Sequence, residues 1–408
     1  MESTAAPASV FTGREGTAES ADRIPWYLSA VLFASAAVIV GITWDISWHR
    51  TIGRDTLFTS AHLLVYAGGL AAGLACGWVA LKTTFSGTDA EVGRAVRLWG
   101  FRAPLGAWVA IWGAIAMLTS APLDDWWHNA YGLDVEILSP PHVVLALGIY
   151  AIQVGALLMA MAWHNRASET GRRKLAWAYV FSAAMLILSI SVLLMEYTFP
   201  NQMHGAAFHL IMAAVFPVLL FAIGRAGQMR WPATSAALVY TIVSLAMMWV
   251  LPLFPGEPML APILRPVTHM VAPEFPLLLL APAIVIDLLL RRHSAPGEAP
   301  EPERAPADWQ VAAVGGVAFV AIFGVIQWSF ADFMLSEGAR NYFFQGDTWG
   351  YTAAPGAWQH VFWHGGPYLG GEFSAARFVG SAWWALPIAF VSARTGLWLG
   401  NWWLRVRR

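Results

Sequence analysis

Asp45 and His49 stand four residues apart, and His62 follows thirteen positions after His49. Asp124, His128 and His142 repeat the arrangement with steps of four and fourteen. Both copies read Asp-x2-Trp-His-x3-Gly-x-Asp, with a further His seven or eight residues on. Six matched positions therefore recur at an offset of 79 or 80 residues, the mark of a duplicated unit. Imidazole and carboxylate are ligands for copper, zinc or iron, and three protein ligands leave coordination positions open for water or substrate. Asp and His at span ends also serve as caps or sit solvated at the headgroup level, where Trp is common. A full set of three donors in each of two copies favours the metal reading.

The elements must bring those residues together. Residues four apart on a helix share a face, so each Asp and its first His point the same way. The second His must return on the next helix, and Gly53 and Gly132 permit the tight turn between. Asp55 and Asp134 are expected to accept a hydrogen bond from the non-ligating nitrogen of a bound His.

Of the 408 residues, 58% are hydrophobic and 12% charged, about half the charge of an ordinary soluble chain. Apolar runs long enough to cross roughly 30 Å of hydrocarbon recur throughout. They give about ten spans: 26–44, 58–81, 104–121, 142–163, 175–196, 206–224, 233–253, 274–290, 311–331 and 378–400. The last carries Arg394 and is expected to finish as an interfacial helix. The expected fold is all-α, a polytopic integral membrane helical bundle of about ten transmembrane helices.

With the N-terminus cytoplasmic, the outer side keeps only Arg50, Arg54, Arg265, Arg340 and Arg377 of the 24 Lys and Arg. That asymmetry sets the orientation. It places both motifs toward the periplasm of a bacterial inner membrane. A net charge of −1 argues against nucleic-acid binding. The lone Cys76 excludes an intrachain disulfide. Residues 1–24 read as a disordered cytoplasmic tail and 25–225 as a six-helix core holding the duplicated motif. Two more helices follow in 226–293, then a Pro- and Glu-rich linker at 294–309. The C-terminal membrane part, 310–408, contains a long periplasmic loop at 332–376.

Asp45-Ile46-Ser47-Trp48-His49, then Arg54-Asp55-Thr56-Leu57-Phe58-Thr59-Ser60-Ala61-His62, then Tyr66-Ala67-Gly68, resembles the metal-binding stretch of the C subunit of particulate methane and ammonia monooxygenases. That family reads Asp-x-Ser-Trp-His and Arg-Asp-Thr-x-Phe-Thr-Pro-Ser-His there, with Ser60-Ala61 departing from its Pro-Ser. The resemblance implies that Asp45, His49 and His62 hold copper and form the catalytic site. The family's second site uses Asn, His and His, so Asp124, His128 and His142 match it with Asp in place of Asn. The likeness is specific over about 25 residues and extends over 26–225, leaving 226–408 without a counterpart. It further implies A-like and B-like partner subunits in a trimeric assembly.

Elsewhere, Glu196, His204 and His209 gather at one outer connection, and His269 and Glu274 at the next. The loop 332–376 offers Asp332, Glu337, Asp347, His360 and His364, and His360 and His364 can share a helix face. Two functions follow. In the first, copper serves a membrane monooxygenase component that oxidises a small substrate such as a short alkane or ammonia, with zinc taking its place in isolated protein. Trp44, Trp48, Trp126 and Trp127 would supply apolar surroundings. In the second, the sites capture copper or zinc at the periplasmic face for binding or transport, which asks for ligands continuing through the bilayer.

Overall fold

Pro, Gly and charged residues interrupt the apolar runs, and helices form between the interruptions. The computed structural model describes residues 24–53, 56–132, 139–259, 267–293, 305–346, 379–380 and 382–407. Its long helices are α1 (Trp26–Thr51), α2 (Ser60–Ser86), α3 (Leu105–Tyr131), α4 (Pro140–His164) and α5 (Glu169–Leu193). The remainder are α6 (Ala206–Ala226), α7 (Pro232–Val250), α8 (Leu280–His293), α9 (Ala305–Met334) and α10 (Ala385–Trp403). A small hairpin, β1 (Val96–Leu98) with β2 (Phe101–Ala103), joins α2 to α3. Among the described residues, eight helices are long and apolar enough to cross a membrane. The chain is a multi-pass helical bundle of membrane type.

Two antiparallel hairpins, α1–α2 and α3–α4, carry the motifs, and α2 packs against α3. Gly69 of α2 lies against Met117 of α3, and Gly73 against Ala114, so the hairpins run in register. Both motif ends therefore emerge at the same end of the bundle. Within the second hairpin, a Cβ on Gly113 would sit 2.7 Å from the Gly148 carbonyl oxygen, and one on Gly106 2.6 Å from that of Gly155. Such backbone contact needs small residues, the usual glue between helices in lipid. Across the hairpins, the buried Gln153 of α4 donates to the Ser35 carbonyl of α1 at 3.1 Å and accepts from the Ser35 hydroxyl.

α6, α9 and α10 share one core, which includes Phe208, Phe319, Phe323 and Leu397. α10 lies parallel to α6, with Gly396 and Gly400 against Val218 and Ala222. Ser392 inserts at the break that Pro217 leaves in α6, donating to Ala214 O (2.7 Å) and accepting from Val218 N (2.9 Å). The residues beyond 310 are thus packed into the core of those before 294.

Some of the expected boundaries differ from the structure. The expected span 274–290 is helical only in α8, whose 14 residues reach roughly 21 Å, short of the membrane. Before it, residues 270–279 run without helix, because Pro273 and Pro276 lack the N–H that a helix interior uses. Helix α10 starts at Ala385 and is not among the eight helices that qualify by length and composition among the described residues. It packs along α6, and the Trp403 carbonyl at its end accepts from Asn165 at 3.0 Å. The expected linker 294–309 gives way to helix from Ala305, and α9 extends through Asp332 to Met334.

The non-helical strap 270–279 is buried at Met270, Ala272, Leu277 and Leu279. Non-helical backbone within a bundle must find its hydrogen bonds in the protein. Here Val271 N donates to Thr51 Oγ1 (2.7 Å), Leu277 N to the Tyr240 hydroxyl (3.0 Å) and Leu278 N to Gln327 Oε1 (3.0 Å). The Ser47 hydroxyl donates to Val271 O. Side chains of α1, α7 and α9 thereby replace the missing helix ladder.

Candidate metal centres

In the last turns of α1, Asp45 and His49 share a face, and His62 comes back in the first turn of α2. Nε2 of His62 lies 3.1 Å from Asp45 Oδ1, and Nε2 of His49 3.8 Å from Asp45 Oδ2. At the other hairpin, Nε2 of His142 is 3.4 Å from Asp124 Oδ1 and Nε2 of His128 is 3.4 Å from Asp124 Oδ2. In each triad one ligand atom from every residue lies within 4.8 Å of the other two. All six side chains are partly buried.

The turns behave as their glycines imply. Gly53 has φ 78° and Gly132 φ 96°, a region that L side chains avoid. Gly132 also closes α3, its N–H donating to His128 O at 2.9 Å. Ser139 caps α4, its hydroxyl accepting from His142 N at 3.5 Å, with Pro140 in the first turn.

The orientation of the imidazoles was not foreseen. Nδ1 of His62 meets Thr56 O at 2.9 Å, and Nδ1 of His128 meets Gly132 O at 3.2 Å. A carbonyl only accepts, so each Nδ1 carries the hydrogen, and in the neutral ring the bare Nε2 faces the carboxylate. This is the outer hydrogen bond that metal-bound histidines typically make. For His62 and His128 a backbone carbonyl makes this bond; Asp55 and Asp134, expected in that role, lie outside the described residues. No sequence signal marks a backbone acceptor, beyond the turn that puts it there.

The donor sets fit a transition ion. Two ligands roughly 2.0–2.1 Å from a shared tetrahedral ion stand about 3.3–3.4 Å apart. The spacings above, 3.4 Å twice and 3.1 with 3.8 Å, match or bracket that value. Asp45 Oδ1 and Asp124 Oδ1 are buried and lack a hydrogen-bond partner among the described residues. A carboxylate oxygen facing an imidazole lone pair is repulsive until a cation lies between them. A metal ion does this; so does a proton, which makes the His an imidazolium.

Other sequence candidates separate. Glu196 pairs with Arg50 at 3.1 Å, tying the end of α1 to the α5–α6 connection. His204 meets Asp332 at 3.2 Å and stands edge-on to Trp328, onto which His209 stacks. Burial holds the His204 imidazole below its usual range, against the opposing pull of Asp332. His269 sits in an isolated bridge with Pro255, and Glu274 lies on the strap. Asp347, His360 and His364 are outside the described residues. Glu337 pairs with Arg340 at 2.7 Å.

Fold and site together define a helical membrane protein with two equivalent Asp-His-His clusters at one end of its bundle. No family model, no curated protein and no solved structure matches the chain.

Proposed function

We propose that the protein is the metal-binding membrane subunit of a monooxygenase-like complex, with one copper ion held by Asp45, His49 and His62 and a second by Asp124, His128 and His142. The observation that carries the metal is the twice-repeated confrontation of a bare imidazole nitrogen with a carboxylate oxygen, His62 on Asp45 at 3.1 Å and His128 on Asp124 at 3.4 Å. Copper would supply one-electron redox chemistry for oxygen-atom insertion into a short alkane or ammonia. The protein's own residues orient the ligands through Thr56 O and Gly132 O and leave coordination positions open. Trp126, Trp127 and Tyr131 pack against one another beside the second cluster, giving it apolar surroundings. The monooxygenase class, its substrates and its A-like and B-like partners rest on the resemblance of residues 45–68.

The same reading puts the N-terminus in the cytoplasm and the clusters at the periplasmic face of the bacterial inner membrane. At the bundle end opposite the clusters, Arg166 lies over Trp163 and Arg291 over Trp231. Trp is enriched at both membrane interfaces, and it is the excess of Lys and Arg at this end that supports a cytoplasmic location.

Elemental analysis and electron paramagnetic resonance on purified protein test the proposal. Two copper ions per chain are expected, falling to about one in His49→Ala and in His128→Ala. Unchanged metal content in both variants, or protein without transition metal after copper loading, would overturn it. Oxygen uptake in membranes on addition of methane, propane or ammonia, lost in His49→Ala, separates an oxygenase from a metal store.

A further inference from the structure

At the bundle end opposite the clusters, the β1–β2 hairpin between α2 and α3 sets Arg97 directly across from Arg102. Both side chains therefore rise from one face of the hairpin, and like charges placed so destabilise a strand pair. The hairpin is nevertheless firmly held. Trp99 and Gly100 turn it with φ 50° and 91°, the positive values that a two-residue hairpin turn takes. Trp108 Nε1 donates to Val96 O at 2.9 Å, and Arg102 N donates to Thr84 Oγ1 of α2 at 2.8 Å.

Arg166, in the turn from α4 to α5, extends the charge. Its guanidinium carbon lies 4.7 Å from the Trp163 ring centroid, and its Nε is buried without a partner among the described residues. Burial, and after it the like charge of Arg94, hold this guanidinium below its ordinary range. Nearby acids are engaged elsewhere. Asp89 and Glu91 occupy the first turn of the short helix Asp89–Gly93, where negative charge suits the N-terminus. Glu91 also pairs with Lys82 at 3.3 Å, and Glu169 with Arg173 at 3.1 Å. Among the described residues no carboxylate pairs with Arg94, Arg97, Arg102 or Arg166. An excess of cations on the cytoplasmic side accounts for exposed ones. It does not account for a partly buried guanidinium, nor for two held face to face.

The geometry points to a binding site for the phosphodiester head of an anionic phospholipid, held by Arg97, Arg102 and Arg166 with Arg94 beside them. Guanidinium groups match phosphate oxygens two at a time, and basic pockets at the ends of membrane helices hold such heads. The flank of the hairpin selects a lipid over a soluble phosphate. Trp99, Phe85 and Phe101 are exposed there, with Trp99 edge-on to Trp112 and Phe85 edge-on to Phe101. Acyl chains find an apolar ledge beside the cations. The inference rests on the membrane bundle and is independent of the metal reading.

Electron paramagnetic resonance of spin-labelled phospholipids tests it, with the full chain stripped of metal by chelator and reconstituted in phosphatidylcholine membranes. The motionally restricted fraction of label reads the association. Labelled phosphatidylglycerol should associate roughly fivefold more than labelled phosphatidylcholine, and the preference should shrink as salt is raised. Arg97→Glu gives Arg102 an opposite charge across the hairpin, which suits the fold, and should abolish the preference. Arg166→Gln should weaken it severalfold. Arg173→Gln, at a cation already paired with Glu169, should leave it unchanged. Inorganic phosphate at millimolar concentration should not displace the lipid. Equal association of the two lipids, a preference that survives Arg97→Glu, its loss in Arg173→Gln, or displacement by inorganic phosphate would overturn the inference. Metal content of Arg97→Glu, measured before stripping, should match the wild type, so failure of the metal proposal is read separately from failure of this one.

Discussion

The hairpins α1–α2 and α3–α4 carry one motif, yet the molecule holds them differently. Around the first cluster, Ser47 and Thr51 clasp the strap through Val271, Met259 N donates to Ile52 O at 2.9 Å, and Arg50 is paired with Glu196. The last two turns of α1 are thus tied to segments more than 140 residues away in sequence. The second cluster has no comparable brace among the described residues. Its helix contains Pro122 just before Asp124, which removes one backbone hydrogen bond from the turn that must aim the carboxylate. Trp126 and Tyr131 beside it are more than half exposed. Equal donor sets on unequal scaffolds should bind metal unequally, because ordering the ligands costs less where they are already fixed.

The sharpest way to break the comparison is to remove one carboxylate at a time. Asp45→Ala and Asp124→Ala should each take copper from two ions per chain to one, read by elemental analysis. If one of them removes both ions, the clusters form a single centre and the comparison fails. In the wild type, a chelator titration followed by electron paramagnetic resonance should empty the Asp124 cluster first, at an affinity at least tenfold lower. Simultaneous release would mean that the strap contributes nothing.

Smaller effects sharpen the picture. Gly132→Ala forces a Cβ into a positive-φ turn at a cost of about 1–2 kcal/mol. It should weaken the second cluster roughly tenfold, leaving the first as it was. Ser47→Ala removes a single buried hydrogen bond, worth about 1 kcal/mol, and should weaken only the first cluster, by roughly fivefold. Copper competition assays on both variants check these values, and an effect at the wrong cluster would contradict the assignment of the brace.

Spacing in the chain settles more of the site than of its surroundings. Asp45 with His49, and Asp124 with His128, must share a helix face because the helix repeats every 3.6 residues. A Gly-containing turn to the next apolar run then returns His62 and His142, so the sequence determined both triads and the long helices that present them. It misjudged 274–290, because apolar composition alone does not separate a helix from a Pro-containing extended strap buried among helices. Backbone hydrogen bonds decide that, and here they run to Thr51, Tyr240 and Gln327, residues far away along the chain. For the same reason only the tertiary structure decided which imidazole nitrogen faces each carboxylate, which cluster is braced, and that Glu274 meets the Thr198 hydroxyl. Local periodicity is written in neighbouring residues, whereas an acceptor or a wall supplied from another helix exists only once the helices have packed.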